Sequence, residues 1–190
     1  MVTTSMVKDL RERTGAGIMD CKRALQEAEG NLDKAVDLLK QQGLAKAEKK
    51  SGRMASQGLV EVYVHAGGRI AAMVEINCET DFVARTPEFR QLARDVAMQV
   101  AAMSPTYVSE DVVPAEIWGA LESEHGDRKK AAEAVALLQQ PFIKDPKSSI
   151  RDLIRTGIAK LGENVQVSRF ARFEVGADRP AMVSDESEDE

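Results

Sequence analysis

The sequence predicts an α+β protein, with three short helices followed by a small antiparallel sheet and helices packed on it. Three observations predict this class. Apolar residues recur at helical spacing through residues 1–43, punctuated by glycines. The period drops to two at Gly58, around a Gly67-Gly68 turn. Helical stripes then return, and a last strand-like run follows from Asn164. The 190 residues, 43% of them hydrophobic, suffice for the core of one moderate domain or two small ones.

Taken in order, Thr4 or Ser5 can cap a first helix carrying Met6, Val7 and Leu10, which Gly15 ends. After the tight Thr14-Gly15-Ala16-Gly17 loop, a second helix places Ile18, Cys21, Leu25 and Ala28 on one face and stops at Gly30. Asn31 caps a third, with Leu32, Ala35, Val36 and Leu39 inward, closed by Gly43. Residues 1–43 thus form a compact bundle near the lower size limit for independent folding, with little room for a catalytic pocket, which suits a docking module. Residues 44–57 are rich in Ala and Lys and read as a basic helical linker. Its Lys46, Lys49, Lys50 and Arg53 form a solvated face on the plainer reading and a phosphate-binding patch on the sharper one.

The third unit, 58–176, is the α+β core. Leu59, Val60, Val62 and Val64 lead into the glycine turn, and the return strand runs from Arg69 to Asn77. Thr86 as N-cap and Pro87 at the first helical position start a helix whose stripe is Phe89, Leu92, Ala93, Val96, Val100 and Met103. Two strands alone are marginal, so a third is expected from the C-terminal run Asn164 to Val175. A helix capped at Ser148 or Ser149 and ended by Gly162 precedes it, with Ile150, Leu153, Ile154, Ile158 and Leu161 apolar. Between Tyr107 and Pro146 a compact connector is expected, with one clear helix from Arg128 to Gln140. Residues 177–190 are expected to be a disordered acidic tail, since Ser184 to Glu190 has no apolar residue.

Composition narrows function by exclusion. A net charge of −5 argues against a nucleic-acid binder. No apolar run is long enough to cross a bilayer, and no signal peptide is evident, so a soluble cytosolic protein is expected. Cys21 and Cys78 have no metal-ligand spacing and read as two buried free thiols. Neither a phosphate loop nor a dinucleotide fingerprint occurs; Gly15-Ala16-Gly17 lacks the strand that such a fingerprint follows. His65 and His125, the only histidines, lie in no nucleophile–acid cluster. Glu79 and Asp81 alternate without any sign of a surrounding cleft. Binding is favoured over catalysis.

The segment Asn77-Cys78-Glu79-Thr80-Asp81-Phe82-Val83-Ala84-Arg85 connects a strand to a helix, where side chains can be offered on a rigid support. Phe82 is its oddity. It either folds back to cap the core or is held outward for a partner.

Leu10 through Leu25, LRERTGAGIMDCKRAL, closely resembles the opening signature of the elongation factor Ts family. Asn77 through Ala84 is similar to that family's second signature, and Lys160-Leu161-Gly162-Glu163-Asn164 and Arg172-Phe173-Glu174-Val175-Gly176 to further segments in the family's order. The resemblance implies a guanine-nucleotide exchange factor that binds elongation factor Tu, both GDP-bound and nucleotide-free, with no cofactor. It further implies that the N-terminal bundle is ubiquitin-associated-like and docks on the GTPase domain. By the same resemblance Asp81 and Phe82 wedge into that domain and disturb its magnesium site, while Thr80 and Val83 hold the connection in shape. Lys22, His65, Leu161 and Gly162 fall where family members touch the partner. With one hairpin–helix unit, the chain resembles the short form of the family. A homodimer through the C-terminal strand would pair an open sheet edge.

Overall fold

The computed structural model describes residues 2–177. The expected acidic tail, apart from Ala177, lies outside them. Three helices open the chain: α1 (Thr4–Thr14), α2 (Ile18–Glu27) and α3 (Leu32–Glu48). Thr3, just before the expected caps, accepts a hydrogen bond from the Met6 amide, and Asn31 caps α3 by accepting from Lys34. Gly15 ends α1 in the left-handed region at φ 68°, which a side chain would resist. Leu10, Cys21, Leu25, Ala35 and Leu39 form the bundle's buried centre. Ile18, expected inward, is 57% exposed, because the first residue of α2 projects beyond the edge of that small core.

The second unit begins with the hairpin β1 (Gln57–Val64) and β2 (Ile70–Cys78), followed by the single turn α4 (Asp81–Ala84) and the long helix α5 (Pro87–Met103). Thr86 caps α5 with proline in its first turn, as expected. The connector holds α6 (Trp118–His125), α7 (Arg128–Val135) and a small hairpin, β3 (Pro141–Phe142) and β4 (Asp145–Ser149). The helix expected from Arg128 to Gln140 stops at Val135, because Ala136 turns extended and bridges to Tyr107. Trp118 is buried with Val113, Ala131 and Ala132 in a small separate cluster. Last come α8 (Ile150–Leu161), with a capping box between Ser149 and Asp152, and β5 (Val165–Glu174).

The C-terminal strand completes the sheet as expected. Its order is β1-β2-β5, antiparallel throughout, with β2 central. On one face Val74, Ile76 and Val167 pack with Phe89, Val96 and Val100 of α5 and Ile150, Ile154 and Ile158 of α8. The other face is open: Val60, Val62, Val64, Met73 and Phe173 are all exposed. Leu59 and Tyr63, which alternate in phase against the three valines, are the β1 residues that pack against the core.

The third helix does not close at Gly43. It runs on to Glu48, and Ala47 is buried in the core of the second unit. Gly43 lies where α8 crosses α3; a Cβ there would sit 3.2 Å from the Ala159 Cβ. Close helix approach explains this glycine, and the segment beyond it is partly a continuation of the bundle's own helix. The remainder of the expected linker forms turns before β1.

Candidate functional site

Residues 78–86 leave the sheet at the end of β2 and re-enter the fold at α5. Two caps, one turn apart, fix this path. The Thr80 hydroxyl accepts from the Val83 amide at the start of α4. The Thr86 hydroxyl donates to the Val83 carbonyl at 2.8 Å and accepts from the Phe89 amide at the start of α5. On the turn between them successive side chains point about 100° apart, which separates their fates. Ala84 is buried and Val83 packs against the main core. Phe82 is 79% exposed. Core capping is therefore not its role in this fold; Phe89, fully buried, and Phe142 are the phenylalanines buried in the main core. Leaving a Phe in water forgoes roughly 1.5–3 kcal/mol of burial, which the turn's geometry enforces. Asp81, half-buried, pairs with Arg85 at 2.8 Å.

The corner between α8 and β5 grips this segment. One Glu163 carboxylate oxygen accepts from the Glu79 amide at 3.1 Å and the Thr80 amide at 2.9 Å, and the other accepts from the Thr80 hydroxyl at 2.6 Å. In return the Asn164 amide donates to the Glu79 carboxylate at 2.7 Å. The Asn164 side chain donates to the Ser51 and Arg53 carbonyls at 3.2 and 2.7 Å, and the Lys50 ammonium donates to the Gly162 carbonyl. Arg53 also approaches Glu79 at 3.5 Å. Below the turn, Cys78 donates to the Thr80 carbonyl at 3.1 Å; burial, followed by the nearby Glu163 charge, pushes its thiol pKa up.

Of the residues singled out in the sequence, Thr80, Asp81, Phe82 and Val83 share this turn. Gly162 ends α8 in the left-handed region at φ 78° beside the gripping corner, and Leu161 is half-buried against the main core. Lys22 is exposed on α2, in the N-terminal bundle with the exposed Ile18 and Met19. His65 stands apart. It is exposed at the far end of the hairpin, about 27 Å of strand from the turn at 3.3 Å per residue, with Tyr63 its hydrogen-bond partner. Glu163 and Asn164 are not legible in the sequence as part of the site, and Glu79, weighed there only as a carboxylate paired with Asp81, instead bonds the corner. Their partners are distant in sequence, Glu163 and Glu79 being separated by 84 positions, and nothing local signals the contact.

Among the described residues no group of three or more His, Cys, Asp or Glu is placed to hold a metal ion, and no helix is long and apolar enough to cross a membrane. The site is an outward-facing aromatic on a capped turn, beside the Asp81 carboxylate.

Comparison with known proteins agrees with the motifs. The family model for elongation factor TS matches residues 43–125. The chain is 50% identical to elongation factor Ts of Carboxydothermus hydrogenoformans, the match covering 93% of this chain and 90% of that protein. It is 52% identical to elongation factor Ts of Finegoldia magna, over 92% and 90% of the two chains. Against elongation factor Ts of Caldanaerobacter subterraneus the identity is 48%, over 93% and 98%. With this likeness running through nearly the whole of each protein, and with the motif turn intact in the fold, the chain belongs to the elongation factor Ts family.

Proposed function

We propose that this protein is a guanine-nucleotide exchange factor for elongation factor Tu, acting in the cytoplasm during translation elongation. It binds the GDP-loaded and the nucleotide-free GTPase and promotes GDP release. Asp81 and Phe82 wedge into the GTPase domain and disturb its magnesium site. The observation that carries this reading is Phe82, 79% exposed on a turn capped by Thr80 and gripped by Glu163.

Exchange of this kind makes and breaks no covalent bond. The factor must bind the empty or distorted GTPase more tightly than the loaded one, and reciprocity then makes it weaken GDP by the same factor. An inserted phenylalanine buries 150–250 Å² with few rotamers to freeze. Burying it recovers the roughly 1.5–3 kcal/mol forgone in water, and only in the conformation that opens to receive the ring. Asp81 brings negative charge toward a site that depends on a cation. Lys22, exposed on α2, contacts the partner from the N-terminal bundle, which is the docking module. Leu161 and Gly162 contact it beside the turn, and His65 from the opposite end of the sheet.

The partner set excludes direct nucleic-acid and membrane contact. Two cations of the basic segment are engaged within the molecule, Lys50 with the Gly162 carbonyl and Arg53 with Glu79, which favours a structural use over an RNA patch. A homodimer through β5 belongs to the same reading, since β5 is an edge strand and the adjoining outer sheet face is apolar. Light scattering at micromolar concentration should return twice the monomer mass; a monomer mass removes the dimer.

The test of the wedge is Phe82→Ala. Its fold, followed by circular dichroism, stays intact because the ring supports nothing internal. Release of a fluorescent GDP from elongation factor Tu in stopped flow slows by at least about tenfold, in line with typical coupling energies of 1–3 kcal/mol. Unchanged release refutes the wedge.

A further inference from the structure

We infer that Glu163 is a positioning residue for nucleotide exchange, setting the turn that presents Phe82 without itself meeting the partner. The inference rests on the reading of Phe82 as the group that engages elongation factor Tu.

The chain's own chemistry at the corner supports it. Residues 79 and 80 lie just past the last β2–β5 pair, Cys78 with Val165, so their amides have left the ladder. Both are taken by one oxygen of Glu163, while the other oxygen takes the Thr80 hydroxyl proton. A carboxylate suits this place because it only accepts, and hydrogen bonds to a charged acceptor are about twice as strong as neutral ones. The Thr80 hydroxyl, its proton committed to Glu163, keeps lone pairs free to accept from the Val83 amide and so caps α4. Glu79 returns the grip through its side chain to the Asn164 amide, so the turn and the corner hold each other in both directions.

What is held is a helix of only four residues. Isolated turns of that length do not persist in water, so α4 depends on its cap and on the two flanking attachments. Most of the core beneath lies outside it: Phe89, Val96, Val74 and Ile76 belong to the same packed cluster, α4 adds only Ala84 and Val83 to it, and the Phe82 ring adds nothing. Releasing Glu163 therefore leaves the fold standing and lowers the fraction of molecules that present Phe82 in the binding geometry. Apparent affinity for the opened GTPase falls in proportion to that fraction.

The experiment measures stimulated GDP release and urea stability for wild type, Glu163→Ala, Glu163→Gln, Phe82→Ala and the double variant Phe82→Ala/Glu163→Ala. The expected result is that Glu163→Ala lowers kcat/KM for release at least about tenfold, as loss of several charge-assisted hydrogen bonds implies. Glu163→Gln, which keeps one accepting oxygen, recovers part of the loss. In the Phe82→Ala background, Glu163→Ala adds no further loss, because there is no ring left to position. Amide exchange at residues 79, 80 and 83 speeds up in Glu163→Gln, a readout independent of any partner. If Glu163→Ala fails to fold, the Gln variant carries the same comparison against Phe82→Ala. Additive losses in the double variant, or normal release in Glu163→Gln with faster amide exchange, overturn the inference and leave Glu163 a stabilising residue only. A silent Phe82→Ala fails the wedge itself, a result distinct from a silent Glu163 with an active wedge.

Discussion

Gly58 should be irreplaceable, and the reason can be worked out atom by atom. It pairs with Asn77 across the hairpin at φ 149°, a backbone region that side chains rarely adopt. A Cβ added there would lie 2.1 Å from the Ile76 carbonyl oxygen and 2.7 Å from the Asn77 Cα. Both atoms belong to β2, which is held on one side by β1 and on the other by β5, so no side chain can simply rotate away. Gly58→Ala must therefore either push β1 off the sheet or change its backbone. Strain of about 1–3 kcal/mol and the loss of two ladder hydrogen bonds at about 0.5–1.5 kcal/mol each sum to roughly 2–6 kcal/mol. For a domain of this size each kcal/mol moves Tm by about 2–4 °C, so a central value near 4 kcal/mol predicts a drop of about 8–16 °C. Urea and thermal unfolding by circular dichroism measure it. Gly52→Ala is the control: nothing lies within 4 Å of its Cβ position, and the change should stay within about 0.5 kcal/mol. Because Asn77 leads directly into the gripped turn, GDP release should also slow in Gly58→Ala at temperatures where it is still folded. A variant within about 1 kcal/mol of wild type would refute the close-approach argument.

Two further predictions concern titration and thiols. Asp152 is partly buried, which opposes its charge, but the Ser149 hydroxyl and amide hold its carboxyl below the ordinary 3.8. Glu75, bonded first by Arg169, sits below 4.5, and Asp127, bonded first by the Lys130 amide, below 3.8. All three values are depressed on folding, so their stabilising contribution is complete above the unfolded values and is lost as pH falls through the folded ones. The urea midpoint should be flat near neutrality and decline below about pH 4.5, with a shallower decline in Asp152→Asn; an unchanged slope in that variant would count against the capping box. Cys21 and Cys78 are both buried free thiols whose pKa values are raised, first by burial. A thiol reagent should react with neither in native buffer and with both in urea, and a fast native reaction of either would contradict the packing.

Much of this architecture can be read locally. Thr86 followed by Pro87, Gly15 and Gly162 each mark a helix end by their own chemistry, and each end stands within a residue of where the sequence puts it. The third strand follows from the marginality of two. What escapes a linear reading is set by remote surfaces. Alternation at Val60, Val62 and Val64 announces a strand with two faces, yet the inner face belongs to Leu59 and Tyr63, because α5 packs on their side. Gly43 looks like a stop signal until α8 is present to require a small residue in mid-helix. At the site, the residues of the turn are legible, but the direction of Phe82 is not; a scarce aromatic beside a strand end is as consistent with a core cap as with a wedge. Glu163 is legible only once the corner folds back on Thr80.

The unbroken run of α3 from the N-terminal helices into the sheet unit has a consequence for spacing. The exposed side chains of α2 and the aromatic tip beyond β2 are joined by a rod of set length and phase, seated on α8 where Ala159 faces Gly43. A residue inserted just before that seat would swing the front of the molecule by about 100° and advance it by about 1.5 Å. If both ends engage the GTPase as proposed, such a protein would keep each of them in perfect repair and still lose its target, as a caliper does when its beam is twisted.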